Sequence, residues 1–372
     1  MADTERKPFK DLFDRALADD LAARLAKASR RFKPKVMLAA CEDFAPLEMS
    51  GRVTLLADAI KRGFGTTSTR DLMAALIASL PPPLQTSDET TGQGHRLWPY
   101  GELIARHGLD DIDASFGAMV ELTQRFTSEF AVRPFLALDV DGILGRMEAL
   151  IPHPNAHVRR WLSEGTRTRL PWGRGVPALR TRQDRRLALL SRLRHDPDRY
   201  VQRSVANHLG DIFKDDLDAA LSTVRAWLAE DHESLTWICR HAARAPLKSG
   251  HPEVLSLFGH APSGVVADTF SVTPKGITTG DTVTLSATLN HTGHEPTTTR
   301  VDYALLRPSK TAKPSRKVFR WADRTLTPGE SVTLETRYAF VPRTIRPVHP
   351  GPHTFELIID GELAGTVDLT VT

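Results

Sequence analysis

Three carboxylates lie in settings that allow chemistry. Glu164 sits in HVRRWLSEGTRTRLPWG (157–173), Glu129 in RFTSEFAVRPF (125–135), and Asp211 directly after VANHLG. An ionised carboxylate can stabilise a developing positive charge and orient a water. Neighbouring guanidinium groups keep such an acid ionised by lowering its pKa. Plainer readings stand beside this one. Arg160 and Glu164 are four residues apart, the spacing of an intrahelical ion pair. Thr127 or Ser128 could cap a helix that makes Glu129 a first-turn acid, and Asp211 could cap the helix after Gly210.

The surroundings of Glu164 are basic. From Arg159 to Arg203 the chain has thirteen arginines, no lysine and four acids. Arginine offers a planar fork suited to phosphate, whereas a generic solubilising surface mixes in lysine. After Gly165 the segment TRTRLPWGRG is a loop carrying Arg167, Arg169, Trp172 and Arg174. Cations interleaved with a tryptophan suit the edge of a nucleic-acid backbone. Trp172 packed down onto the neighbouring helices is the other reading. Over 372 residues the net charge is +4, so distribution says more than the total.

The elements that must position these groups fall into two halves. Residues 1 to about 260 read as successive amphipathic helices, beginning with DLFDRALADDLAARLAKASRRF (11–32). Further helices are expected near 52–64, 70–80, 99–107, 111–126, 130–138, 140–150, 156–164, 177–194, 198–209, 212–229 and 232–244, with a polar loop after the triple proline 81–83. An internal register supports a repeat. Pro154 is followed at plus four by Val158 and at plus six by Arg160, and Pro197 likewise by Val201 and Arg203, 43 residues on. That period is the one expected of HEAT or armadillo units. DHESLTWICRHAAR (231–244) reads as a degenerate third copy.

After Pro262 the period becomes two. Seven threonine- and valine-rich strands, near 268–274, 281–291, 299–307, 317–326, 330–340, 351–360 and 362–372, are separated by turn material such as TPGE and DGE. They predict a small immunoglobulin- or fibronectin-type sandwich. The fold class is therefore mainly α: a HEAT-like helical repeat superhelix over 1–261, then an all-β immunoglobulin-like sandwich over 262–372.

Two cysteines, Cys41 and Cys239, argue against a disulfide framework or thiolate metal cluster. No metal site and no cofactor are expected. The start MADTERKPFKDLF lacks the apolar stretch of a signal peptide, and no 18-residue apolar segment is present. The expectation is a cytoplasmic monomer with no membrane partner.

The stretches TSEFAVRPFL (127–136), HVRRWLSEGTRTRLPWG (157–173) and YVQRSVANHLGDI (200–212) carry a resemblance. In them the chain resembles the AlkC group of bacterial DNA alkylation-repair glycosylases, in its subset with a C-terminal immunoglobulin-like domain. The resemblance implies a monofunctional DNA glycosylase that starts base excision repair. Its substrates would be cationic alkylated bases in duplex DNA: 3-methyladenine, 3-methylcytosine and 1-methyladenine. It implies that Glu129, Glu164 and Asp211 are the catalytic acids, with Arg160 and Trp172 in the pocket and the sandwich assisting DNA binding. Arg159, Arg167, Arg169, Arg174, Arg203 and His208 complete the expected DNA-binding or pocket set. Base flipping and in-place excision are both open. The competing reading is a noncatalytic DNA-binding repeat scaffold.

Overall fold

A computed structural model describes residues 8–41, 44–87, 94–259, 263–308, 315–342 and 348–372. Among them the helices run in chain order as α1 (Arg15–Ala28), α2 (Pro34–Ala39), α3 (Met49–Phe64), α4 (Thr69–Ser79), α5 (Trp98–His107), α6 (Ile112–Thr123), α7 (Arg133–Leu138) and α8 (Val140–Ala149). They continue as α9 (Ala156–Gly165), α10 (Gln183–Leu193), α11 (Arg199–Asp215), α12 (Leu217–Leu228), α13 (Glu233–Ala242), α14 (Arg244–Ser249) and α15 (Pro252–Leu257). No described helix is long and apolar enough to cross a membrane. The chain forms two compact units, Met1–Asp216 with Glu230–Ile238, and Leu217–Ala229 with Cys239–Thr372.

In the first unit several helices pack chiefly on the one two positions along, α3 on α5, α4 on α6 and α9 on α11, while α2 packs on α3 and α7 on α8. This alternation builds a two-layered helical repeat. Its core is apolar, with Leu21, Leu56, Ile60, Leu76, Leu103, Met119, Phe135 and Leu209 fully buried. Each such side chain contributes about 1.5–3 kcal/mol. Trp161 belongs to this core and lies 5.5 Å, ring to ring, from Phe116.

The repeat register has a local cause. Asn155 caps α9 by accepting from His157 N, and Asp198 caps α11 by accepting from Tyr200 N. In both turns the residue two before the cap also accepts from the cap's own N–H, through His153 Nδ1 and Asp196 Oδ1. Successive repeats are then cross-tied by ion pairs between residues about forty apart. Arg31 pairs with Asp71, Arg70 with Asp111, Arg182 with Asp141, Arg159 with Asp196 and Arg194 with Glu230. Arg159–Asp196 is largely buried; the other, more exposed pairs are each worth under about 1 kcal/mol, so they select partners more than they stabilise.

The expected helix break at Gly210–Asp211 is absent. α11 runs unbroken to Asp215, because the Asp211 carboxylate is drawn to Arg167 and caps nothing. Nor does Thr127 or Ser128 cap α7. Residues 129–132 are a turn, and the Ser128 hydroxyl donates to Met119 O.

The second unit holds the sandwich, with strands β1 (Val265–Thr273), β2 (Gly276–Ile277), β3 (Thr282–His291), β4 (Thr297–Arg307), β5 (Ser315–Leu326), β6 (Ser331–Ala339), β7 (Gly351–Ile359) and β8 (Glu362–Val371). One sheet has the order β1-β3-β6, the other β2-β8-β7-β4-β5. Seven strands match the expected ones, and two-residue β2 joins β8 in parallel. Along β3 burial alternates residue by residue, as a half-buried strand requires. Leu285, Leu305, Phe355 and Leu369 fill the space between the sheets. The short helices α14 and α15 also belong to this unit. Gly361, in the β7–β8 turn at φ +91°, lies against Gly250 O, where an added Cβ would approach to 2.4 Å.

Candidate active site

Glu129, Glu164 and Asp211 come together in one chain of alternating charge. Arg160, on α9, donates from Nη1 to Glu129 Oε2 at 2.5 Å. Its Nη2 lies 3.7 Å from Glu164 Oε2. Arg167 donates to Glu164 Oε1 at 2.5 Å and grips Asp211 through Nε and Nη2 at 2.8 and 3.2 Å. The order is Glu129–Arg160–Glu164–Arg167–Asp211. Three acids meet two guanidinium groups, so one negative charge is left over within the chain.

All five side chains are largely withdrawn from water, with exposures between 2% and 18%. Their hydrogen-bond capacity is nevertheless well used. The Ser204 hydroxyl donates to Glu164 Oε2 at 2.7 Å, and the Thr127 hydroxyl donates to Glu129 Oε2 at 2.9 Å. The Arg160 guanidinium also lies 5.3 Å from the centre of the Tyr200 ring. Charges this deep survive only when paired in this way.

The two glutamates titrate in opposite directions. Burial pushes the Glu129 carboxyl above the ordinary glutamate value of 4.5, with Arg160 opposing and Glu164 reinforcing the rise. Burial works the same way on Glu164, but Arg160, Arg167 and Ser204 together outweigh it and hold the group below 4.5. Burial also works against the Arg167 charge. The bonds and charges of Asp211 and Glu164 more than offset it, leaving Arg167 above the usual arginine range.

Arg167 is delivered by the loop between α9 and α10, and a buried cation holds that loop. Arg133, at the start of α7, donates from Nε to Arg174 O at 2.8 Å and from Nη1 to Gly165 O and Arg167 O at 3.1 and 2.7 Å. It is 1% exposed, and burial with the nearby Arg167 cation draws its pKa down to about 10. It therefore remains charged at neutral pH while tying both ends of the loop. Sequence reading missed Arg133, Ser204 and Tyr200. The signal for Arg133 was present: an arginine inside the otherwise apolar run FAVRPF.

Trp172 sits at the loop's tip at φ +62° and is 81% exposed. Its ring lies nearly parallel to Trp98, 6.5 Å away, and Trp98 stacks on Phe130 at 5.3 Å. It is therefore presented outward and not packed into the helices. Arg174 and Arg203 are exposed as well, without an ion pair to any described residue.

The other expected residues are placed differently. Arg159 is a strut between repeats, bidentate to Asp196 at 2.6 and 3.0 Å and also bound to His153 O and Pro154 O. Arg169 pairs with Asp215 while remaining half exposed. His208 is fully buried behind the pocket wall. Its Nδ1–H donates to Ser163 O and its Nε2 accepts from Arg186, which fixes a neutral tautomer. Burial and the Arg186 cation accordingly hold its pKa well below 6.5. Arg160's close partner is Glu129, and the close cation of Glu164 is Arg167.

A helical-repeat unit bearing a buried acid–arginine chain, joined to an immunoglobulin-like sandwich, defines the class of protein. Residues 266–372 match the family described as "Uncharacterised protein YhaZ, C-terminal Ig-like domain". The chain is 33% identical over 287 residues to the uncharacterised protein YhaZ of Bacillus subtilis (strain 168), covering 77% of this chain and 79% of that one. It is also similar to the alkylpurine DNA glycosylase AlkC of Pseudomonas fluorescens, solved bound to DNA containing an abasic-site analogue. That similarity has a TM-score of 0.81 at 29% identity, over 98% of this chain and 99% of the other. The chain belongs to this AlkC–YhaZ family of helical-repeat proteins with a C-terminal immunoglobulin-like domain.

Proposed function

We propose that the chain is a monofunctional DNA glycosylase that hydrolyses the N-glycosidic bond of cationic alkylated bases in duplex DNA, with 3-methyladenine, 3-methylcytosine and 1-methyladenine as substrates. One observation carries this reading: the five-residue chain holds three acids against two guanidinium groups in a water-poor setting. A cationic base is already a good leaving group. When the C1′–N bond breaks, its electron pair neutralises the base and the sugar becomes the cation. A fixed carboxylate such as Glu164 gains attraction at that moment and costs no reorganisation. A water then adds at C1′ and its proton leaves to a carboxylate or to solvent, giving free base and an abasic sugar.

Glu164 is assigned to the sugar cation, with Glu129 beside it and Asp211 holding Arg167. The exposed Arg174 and Arg203 are assigned to phosphates, and Trp172 to the duplex. The DNA-bound state of the P. fluorescens relative supports DNA as the partner. The sandwich is assigned to holding it.

The test is mass-spectrometric identification of the bases freed from methylated duplex DNA by the wild-type protein and by Glu129→Gln, Glu164→Gln and Asp211→Asn. Release of methylated bases by the wild type, lost or slowed in the acid variants, is the expected result. Duplex binding without any release by the wild type would leave the noncatalytic scaffold standing instead.

The opposed titrations of the two glutamates fix the pH dependence. As pH falls, Glu129 takes up a proton first, at a pH above 4.5, while Glu164 stays ionised to below it. Single-turnover release from a permanently cationic substrate should show an acid limb above pH 4.5. In Glu129→Gln that limb should move to lower pH. A limb that stays in place would remove Glu129 as its origin.

A further inference from the structure

One side of α11 carries Ser204, His208, Asp211 and Asp215, at the three- and four-residue spacings that place side chains on a common helix face. Each grips the end of α9 or the loop that follows it. The Ser204 hydroxyl donates to Glu164 at 2.7 Å, and Asp211 accepts from Arg167 at 2.8 and 3.2 Å. Asp215 accepts from Thr168 and Arg169 at 2.6 and 2.9 Å. His208 differs from the other three because it reaches backbone: its Nδ1–H donates to Ser163 O at 3.0 Å. That carbonyl lies in the last turn of α9, where carbonyls lack a backbone donor one turn further on. It belongs to the peptide group that joins Ser163 to Glu164, so its orientation fixes the plane from which the Glu164 side chain springs.

Arg186, on α10, decides which nitrogen of His208 carries the hydrogen. A guanidinium only donates and a carbonyl only accepts. With Arg186 Nη1 donating to Nε2 at 3.1 Å, the hydrogen is left on Nδ1 and aimed at Ser163 O. We propose that His208 and Arg186 are positioning residues for Glu164, a buried tautomer lock that holds the Ser163–Glu164 peptide group in register with the acid chain. The proposal rests on the glycosylase reading and adds two fully buried residues to it. Arg186 forms no ion pair with any described carboxylate, and its Nε donates only to Leu179 O, at 2.9 Å. An unpaired buried guanidinium costs stability, and an apolar side chain of similar volume would serve packing better. What the arginine supplies is the donor that sets the imidazole. A protonated His208 would turn an N–H toward Arg186. Burial opposes that form, together with the cations of Arg186 on α10, Arg167 in the α9–α10 loop and Arg133 on α7, while the Ser163 carbonyl favours it.

Glu164 is thereby held at both ends, its carboxylate by Arg167 and Ser204 and its backbone by His208. Without the Nδ1–H the peptide group is free to tilt. A shift of about 1 Å in a reacting group costs on the order of a hundredfold in rate.

Nitrogen NMR of isotope-labelled histidine reads the tautomer directly, with the His208 signal identified by its absence in His208→Asn. In the wild type it should show the hydrogen on Nδ1 and stay neutral from about pH 6 to 8, where an ordinary histidine titrates. Arg186→Met replaces an unpaired buried cation by an apolar chain, a change that interiors tolerate, and its melting temperature checks the fold. It should move the hydrogen toward Nε2 and slow single-turnover release of methylated bases about ten- to a hundredfold, with duplex binding unchanged. His208→Asn, whose amide can still donate to Ser163 O, should keep more of the rate than His208→Leu, which cannot. A wild-type hydrogen on Nε2 would overturn the proposal. So would Arg186→Met protein that loses the Nδ1–H yet releases bases at the wild-type rate, or equal rates in the two His208 variants. A wild type that shows the Nδ1–H but frees no base would instead sink the glycosylase reading and leave the lock as a device of the fold alone.

Discussion

Glu164→Gln will hold duplex DNA about as well as the wild type while freeing alkylated bases about 10²–10³-fold more slowly, the usual loss when one fixed electrostatic partner of a transition state is removed. The amide keeps the volume of the side chain, and its oxygen can still accept from Ser204. Arg167 keeps its two bonds to Asp211, so the loop stays in place. What disappears is the excess negative charge. The chain becomes two acids against two guanidinium groups, neutral toward a sugar cation. Single-turnover release measured beside DNA binding separates the two effects. Unchanged release would exclude Glu164 from the chemistry, and lost binding would assign it to DNA contact.

Arg167→Met will be the most destabilising change in the site. It strands Glu164 and Asp211 in the interior, at 7% and 2% side-chain exposure, and removing one partner of a buried pair costs about 3–5 kcal/mol. For a protein of this size that is a fall of roughly 10 °C in melting temperature. The loss should also acquire a pH dependence of definite sign. Buried acids without their cation take raised pKa values in the folded state. They fold most favourably when protonated, so the variant's deficit should be largest at neutral pH and shrink toward pH 5. Adding Glu164→Gln and Asp211→Asn should restore much of the melting temperature. A single variant that melts with the wild type would show that the Arg167 pairs are not formed in solution.

The sequence reading located most elements of both halves, because long helices and alternating strands repeat their pattern several times over. It passed over α2, α14, α15 and β2, which have six residues or fewer and complete too few periods to register. It brought out the three acids but not their wiring. Arg160 and Glu164 are neighbours on one helix, whereas Arg160 with Glu129 and Arg167 with Asp211 are 31 and 44 residues apart and meet only through repeat stacking. For Asp211 a helix cap stays open as the plainer reading, because an aspartate after glycine has the form of a cap. Only its distant partner settles what its carboxylate does. The Trp98–Phe130–Trp172 ladder escaped for the same reason, since three elements contribute one ring each.

The ties between repeats change what the arginine-rich stretch can give to DNA. Counterion release upon binding counts only cations that are free to meet phosphate. Of the thirteen arginines from Arg159 to Arg203, only Arg174, Arg180, Arg192 and Arg203 are exposed without a side-chain ion pair or hydrogen bond to any described residue. The others already spend their charge or their donors inside the protein. From this stretch, then, the affinity for duplex should fall with salt as for about four phosphate contacts rather than thirteen. The protein carries an arginine-rich wall whose ionic-strength dependence is that of a modest one.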